Sequence, residues 1–101
     1  MIVRGMLEKV TRETFAPLKG HAFTLSGPEG SVELTLVAVQ GNGLRGGAGR
    51  EQFSLHFQGP REPFFPQSIY HLENATLGPL DIFLVPIARD ELGATYEAIF
   101  T

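Results

Sequence analysis

The chain has 101 residues, 43% of them apolar, with eight Phe, no Cys and a formal charge of −3. This is one domain's worth of chain, long enough to bury roughly 65% of its unfolded surface without staples. A cysteine-free composition excludes disulfides, thiolate zinc sites and a cysteine nucleophile, and an acidic balance with two Lys lacks the basic face of a nucleic-acid binder.

Residues 1–20 read as a lead-in. Its start, MIVRGMLEKV, has no apolar run of signal-peptide length. No window approaches the ~18 apolar residues of a membrane span. The expectation is a soluble, cytoplasmic protein. Within the lead-in, TRETFAPLKG predicts one or two helical turns capped by Thr11 and ended at Pro17–Gly20, with Phe15 and Leu18 on one side.

Six strands follow, divided by turn signals at the intervals of an all-β domain. HAFTLS is the first, with Phe23 and Leu25 on one face, and GPEG (27–30) is a tight turn. SVELTLVAVQ is the second. Its alternation breaks at Val37, Ala38 and Val39, which predicts a bulge or a second covered face. The glycine-rich stretch 41–50 reads as a flexible loop, and its Arg45 and Arg50 could grip an anion or a partner.

EQFSLHFQ, the third strand, alternates cleanly, with Phe53, Leu55 and Phe57 inward. The proline-braced loop GPREPFFPQ presents Phe64 and Phe65 either as a plug under a barrel end or as an exposed contact patch. SIYHLEN is the fourth strand, with Tyr70 and Leu72 inward. PLDIFLVPI is the fifth, ARDELGA turns, and TYEAIF is the sixth, with Tyr96, Ala98 and Phe100 inward. No helical pattern separates these strands. They predict a single antiparallel β-barrel or sandwich of six to seven strands in meander order, with a short N-terminal helical turn.

The fifth strand poses a physical problem. Leu80, Ile82 and Leu84 supply one apolar face, yet Phe83, Val85 and Ile87 make the other apolar too. Burying each is worth roughly 1.5–3 kcal/mol, so a cover is expected. The lead-in, using Phe15 and Leu18, is the expected roof, and a homo-oligomer is the second choice.

Chemical signals are sparse. GNGLRG (41–46) matches G-x-G-x-x-G, but a strand rather than a helix follows, so no pyrophosphate cradle is expected. His56 and His71 point outward on consecutive strands, with Glu73 two residues past His71. As a trio these are weak candidates for a polar or metal site, and solvated surface residues are the default reading. Asp81, Asp90, Glu91 and Glu97 cluster in the last third without a cleft for acid–base work. Asn74-Ala75-Thr76 has the glycosylation sequon, of little weight without a secretion signal.

Several segments together carry a family pattern: FAPLKGHAF (15–23), FSLHFQGP (53–60), FPQSIYHLENATLG (65–78), FLVP (83–86) and YEAIF (96–100). In this combination, over nearly the whole chain, the sequence resembles an uncharacterised bacterial family catalogued as a domain of unknown function. It departs from that pattern at Phe65 (for Leu), Ser68 (for Gly), Asn74 (for His), Ile82 and Thr101. The resemblance implies no assigned activity and an accessory role beside phage-tail-like proteins.

The expected function is therefore a non-enzymatic structural or protein-interaction module, without cofactor, metal or catalytic residues, working with a protein partner or as a homo-oligomer. Its candidate interaction surface is Phe64, Phe65, Phe83, Val85, Ile87, Arg45 and Arg50. The alternative is a small-ligand or carbohydrate-binding barrel using the aromatic loop and the His56/His71 face.

Overall fold

A computed structural model describes residues 10–27, 30–45 and 51–100; of residues 42–45 it describes the backbone only. It contains a short helix α1 (Arg12–Phe15) running into a 3-10 turn (Ala16–Leu18). Six strands follow: β1 (Ala22–Gly27), β2 (Gly30–Arg45), β3 (Glu51–Gly59), β4 (Ser68–Asn74), β5 (Gly78–Asp90) and β6 (Gly93–Phe100). All neighbours are antiparallel, and the sheet closes as β1-β2-β3-β6-β5-β4.

The all-β barrel expectation holds, but the meander does not. β1-β2-β3 and β4-β5-β6 are each a meander, yet β4 returns beside β1, the Greek-key arrangement. The proline-rich connection 60–67 carries the chain from β3 across the barrel end to β4. A simple meander would leave β1 and β6 to close the sheet directly; here β1 closes on β4 and β6 on β3.

Period-2 patterning sets the inside of the barrel. Phe23, Leu25, Leu34, Leu36, Phe53, Leu55, Phe57, Leu72, Leu80, Ile82, Leu84, Tyr96 and Ala98 are all buried. The break at Val37 is a bulge, since the β2–β3 register shifts between Leu36 and Ala38. A second shift lies between Pro86 and Ala88; Pro86 has no N–H to give the ladder, a common reason for a bulge.

β2 continues through Arg45, which pairs with Glu51. Residues 41–45, expected as loop, therefore belong to a strand. Among the described residues the next element after β2 is the strand β3, so none of them gives the glycine motif a helix N-terminus on which to hold a phosphate. Residue 46 and the side chains of Arg45 and Arg50 lie outside the description.

Both ends of the barrel are stoppered by side chains. At the end bearing the β4–β5 turn, Phe15 is fully buried, with ring centroids 6.0 Å from Phe53 and 5.7 Å from Phe100. Phe53 and Phe100 stack at 4.7 Å. Leu18 and Val10 are buried beside them.

This corrects the expected roof. The described part of the lead-in, from Val10 to Leu18, enters the mouth of the barrel instead of lying over the outer face of β5, where Phe83 is 48% and Ile87 46% exposed. The physical reason is that an open barrel end exposes several aromatic rings at once. One phenyl ring inserted there covers more apolar surface than the same ring laid on a sheet.

At the other end, Phe65 packs edge-on to Tyr70 at 5.6 Å and tilted against Tyr96 at 6.1 Å. Its backbone N–H donates to the Tyr96 hydroxyl at 3.0 Å. Tyr70 donates its hydroxyl proton to the Pro66 carbonyl, and burial, then the neighbouring Tyr96, push its pKa up. These bonds fold the loop back over the barrel mouth.

Candidate interaction surface

Strand alternation that buries Leu80, Ile82 and Leu84 must turn Asp81, Phe83 and Val85 outward. The ladders decide what stands beside them. Ile69 on β4 directly opposes Phe83 on β5. On the far side, β5 and β6 meet at Val85↔Glu97; two residues back along β5 is Phe83, and two residues on along β6 is Ile99. Ile69 is 47% exposed and Ile99 65%. Continued one step past its last pair, Val85↔Glu97, this register sets Ile99 across from Phe83, so that Ile69, Phe83 and Ile99 line up as an apolar row across three strands, extended along β5 by half-buried Val85 and exposed Ile87.

Ile69 and Ile99 were missed by sequence reasoning. Each is one apolar residue on the outside of an otherwise ordinary strand. Only the pairing of β4 and β6 around β5 sets them beside Phe83.

Two histidine–carboxylate pairs border the row. His56 Nε2 and Glu97 Oε2 are 3.0 Å apart, each side chain about a quarter exposed. On the other border, His71 Nδ1 lies 3.0 Å from Asp81 Oδ1, and its Nε2 lies 3.5 Å from Glu73. The hydrogen bond from His71 holds the Asp81 carboxyl below its usual range, against a smaller opposing effect of burial.

Whether His56 and His71 stand together, which the sequence left open, is decided by the topology. β3 and β4 follow each other in sequence but are not neighbours in the barrel, so the trio His56, His71 and Glu73 does not assemble. Among the described residues, no three His, Cys, Asp or Glu side chains converge at metal-binding spacing. His71 turns its two ring nitrogens towards different carboxylates, a hydrogen-bonding arrangement rather than a chelate.

A hollow of about 230 Å³ continues the surface past Ile99, lined by Gln40, Gln52, Ser54 and Glu97 among others. Gln40 pairs with Ser54 and Ser54 with Ile99, so the apolar row passes into a polar shoulder without a break. A second depression, about 360 Å³, lies at the barrel mouth between the β1–β2 hairpin and the aromatic loop. Leu25, Val32, Pro63 and Phe65 give it an apolar lining.

The aromatic loop places its two phenylalanines differently. Phe65 is the plug. Phe64 is 38% exposed, with the Arg89 guanidinium 4.6 Å over its ring. Arg89 Nε also donates to the Arg61 carbonyl at 3.3 Å, so the cation fastens the loop to β5.

The sequon asparagine has a structural task. Asn74 is 6% exposed; its amide nitrogen donates to the Ala22 carbonyl at 3.0 Å, and its oxygen accepts from the Thr76 and Leu77 N–H groups at 2.9 Å each. A nitrogen held this way is not presented for glycosylation. These bonds tie the β4–β5 turn to the start of β1.

Within the described residues no helix is long and apolar enough to cross a membrane. The molecule is a small closed Greek-key barrel whose most distinctive exposed feature is an apolar strip on its outer wall. Residues 10–100 match the family model described as Domain of unknown function (DUF6916), and the chain belongs to that family. No curated protein and no solved structure shows significant similarity to it.

Proposed function

We propose that this protein is a non-enzymatic interaction module that binds a protein partner through the outer face of β4-β5-β6. The observation that carries this reading is the continuous exposed row Ile69–Phe83–Ile99, extended by Val85 and Ile87. An apolar strip rimmed by histidine–carboxylate pairs and an amide-rich shoulder has the composition of a protein interface: an apolar centre and a polar margin. The barrel is closed, so it offers no edge strand within the ring for a partner to extend. Recognition falls to side chains on its wall. A cytoplasmic role accessory to a phage-tail-like assembly belongs to the same reading and rests on the family resemblance.

The test compares proteins retained by the native chain with those retained by Phe83→Ser and Ile69→Ser chains of unchanged fold. The reading expects specific partners to be lost with both substitutions. An identical set of partners on all three chains refutes it.

A second reading has one observation behind it. The apolar depression at the barrel mouth, of about 360 Å³, is within the size range of small-molecule sites. Its Leu25, Val32, Pro63 and Phe65 lining favours a flat apolar ligand over a carbohydrate. Loss of a ligand-induced rise in melting temperature on Val32→Asn is the expected behaviour, and an apolar-compound screen without such a rise counts against this reading.

A further inference from the structure

We infer that the partner for the Ile69–Phe83–Ile99 face is a second copy of this chain, forming an isologous two-fold dimer in which sheet packs on sheet. This rests on the interaction reading above and names the occupant of its surface.

The first argument is the symmetry of the row. Phe83 lies on the central strand, with one isoleucine on each neighbouring strand. An isologous contact requires a patch that complements itself. Turned about a two-fold axis through Phe83, a second copy sets apolar residue against apolar residue along the whole row. The charges then select the direction of that axis. Asp81 and Val85 lie two residues either side of Phe83 on the same outer face. An axis along β5 would set Asp81 against its own copy, a like-charge contact. An axis across the strands sets Asp81 against Val85 and keeps the two copies of Asp81 apart. The dimer therefore has its β5 strands antiparallel across the interface.

The second argument is area. A half-exposed large apolar side chain leaves on the order of 100 Å² in water. Ile69, Phe83, Ile87 and Ile99, at 47%, 48%, 46% and 65% exposure, together leave roughly 400 Å² or slightly more. A stable interface buries about 800 Å² per partner, of which a little over half, roughly 450 Å², is apolar. The apolar complement of one such interface is thus already present on the wall of a single chain. Val85, His56–Glu97, His71–Asp81 and the Gln40–Ser54 shoulder supply the margin.

The third argument concerns mode. Closure of the ring leaves no strand edge in it to pair, so a second copy cannot join by extending the barrel's ladder. Face-to-face packing at the ~10 Å spacing of stacked sheets remains, and flat alternating side chains such as these suit it.

Sedimentation of the full chain from about 1 to 200 µM tests the inference, because mass action makes a dimer concentration-dependent. The native chain is expected to sediment as a dimer in the upper part of that range. Phe83→Ser and Ile69→Ser are each expected to weaken it by at least ~100-fold, since each removes a contact at both symmetry-related positions. Leu92→Ser is the control. Leu92 is 87% exposed but stands at the β5–β6 turn, off the face, so its loss is expected to leave the dimer unchanged. All three positions are solvent-exposed, and unchanged far-ultraviolet dichroism of the dilute chains verifies that the fold survives.

A native chain that remains monomeric throughout overturns the inference, as does a dimer indifferent to both face substitutions. A monomer whose face variants nevertheless lose a protein retained by the native chain assigns the face to a different partner. That result overturns self-pairing while leaving the interaction reading intact.

Discussion

Replacing Phe15 with Ala tests where the lead-in of this barrel is bound. Phe15 has no exposed surface and touches both members of the Phe53–Phe100 stack. Truncation removes most of a buried phenyl ring and leaves a void beside the Phe53–Phe100 stack that the fixed strands carrying it cannot close. Phe→Ala changes of this kind cost about 3–5 kcal/mol. Domains of this size have a total stability of ~5–15 kcal/mol, so the variant is expected to fold with a much lower denaturation midpoint. The companion variant is Phe83→Ala. Phe83 is already 48% exposed; half of a ~1.5–3 kcal/mol burial term is about 1 kcal/mol, with a few tenths more from its cross-strand contact with Ile69. Urea titration at about 1 µM chain, dilute enough to hold any dimer apart, reads both costs from the midpoint at constant slope. The expected ratio is about two to four to one. Equal costs for the two substitutions would refute the plug and restore the picture of Phe15 lying over Phe83.

Two further outcomes follow from the polar groups. Asn74→Ala removes one donor and leaves the Ala22 carbonyl and the Thr76 and Leu77 N–H groups without their partner; at about 1 kcal/mol per bond it should cost roughly 3 kcal/mol, and a melting temperature unchanged within error would contradict the assigned role. His71 hydrogen-bonds Asp81 and depresses its pKa. A carboxyl whose folded pKa lies below its unfolded value contributes stability above the unfolded pKa, and that contribution is lost as pH falls through the folded pKa. His71→Ala should therefore be less stable than the native chain near pH 6, with the gap narrowing as pH falls below about 3.9. A gap that widens on acidification would show the sign to be wrong.

The architecture is legible in the sequence to the extent that it is local. Alternation marked the inward residues of β3 and β6. GPEG, ATLGP and ARDELGA marked the turns, and the broken pattern at Val37–Val39 marked the bulge. The candidate surface was half legible: Phe83, Val85 and Ile87 announce themselves as one unexplained apolar face. Their neighbours Ile69 and Ile99 do not, because an isolated isoleucine in a strand carries no sign of which strand lies beside it. For the same reason the sequence left open whether His56 and His71 stand close together. Adjacent in strand count, they are separated because the 60–67 connection crosses the barrel mouth.

The sequence by itself determined which residues of a strand share a face, since side-chain direction repeats every two residues whatever the strand pairs with. Only the tertiary structure decided which strands touch, because ladder hydrogen bonds are the same between any two backbones. The choice of β4 beside β1 and β6 beside β3 comes from burying the whole interior at once and stoppering its two mouths with Phe15 and Phe65. That closure leaves Ile69, Phe83 and Ile99 side by side in water.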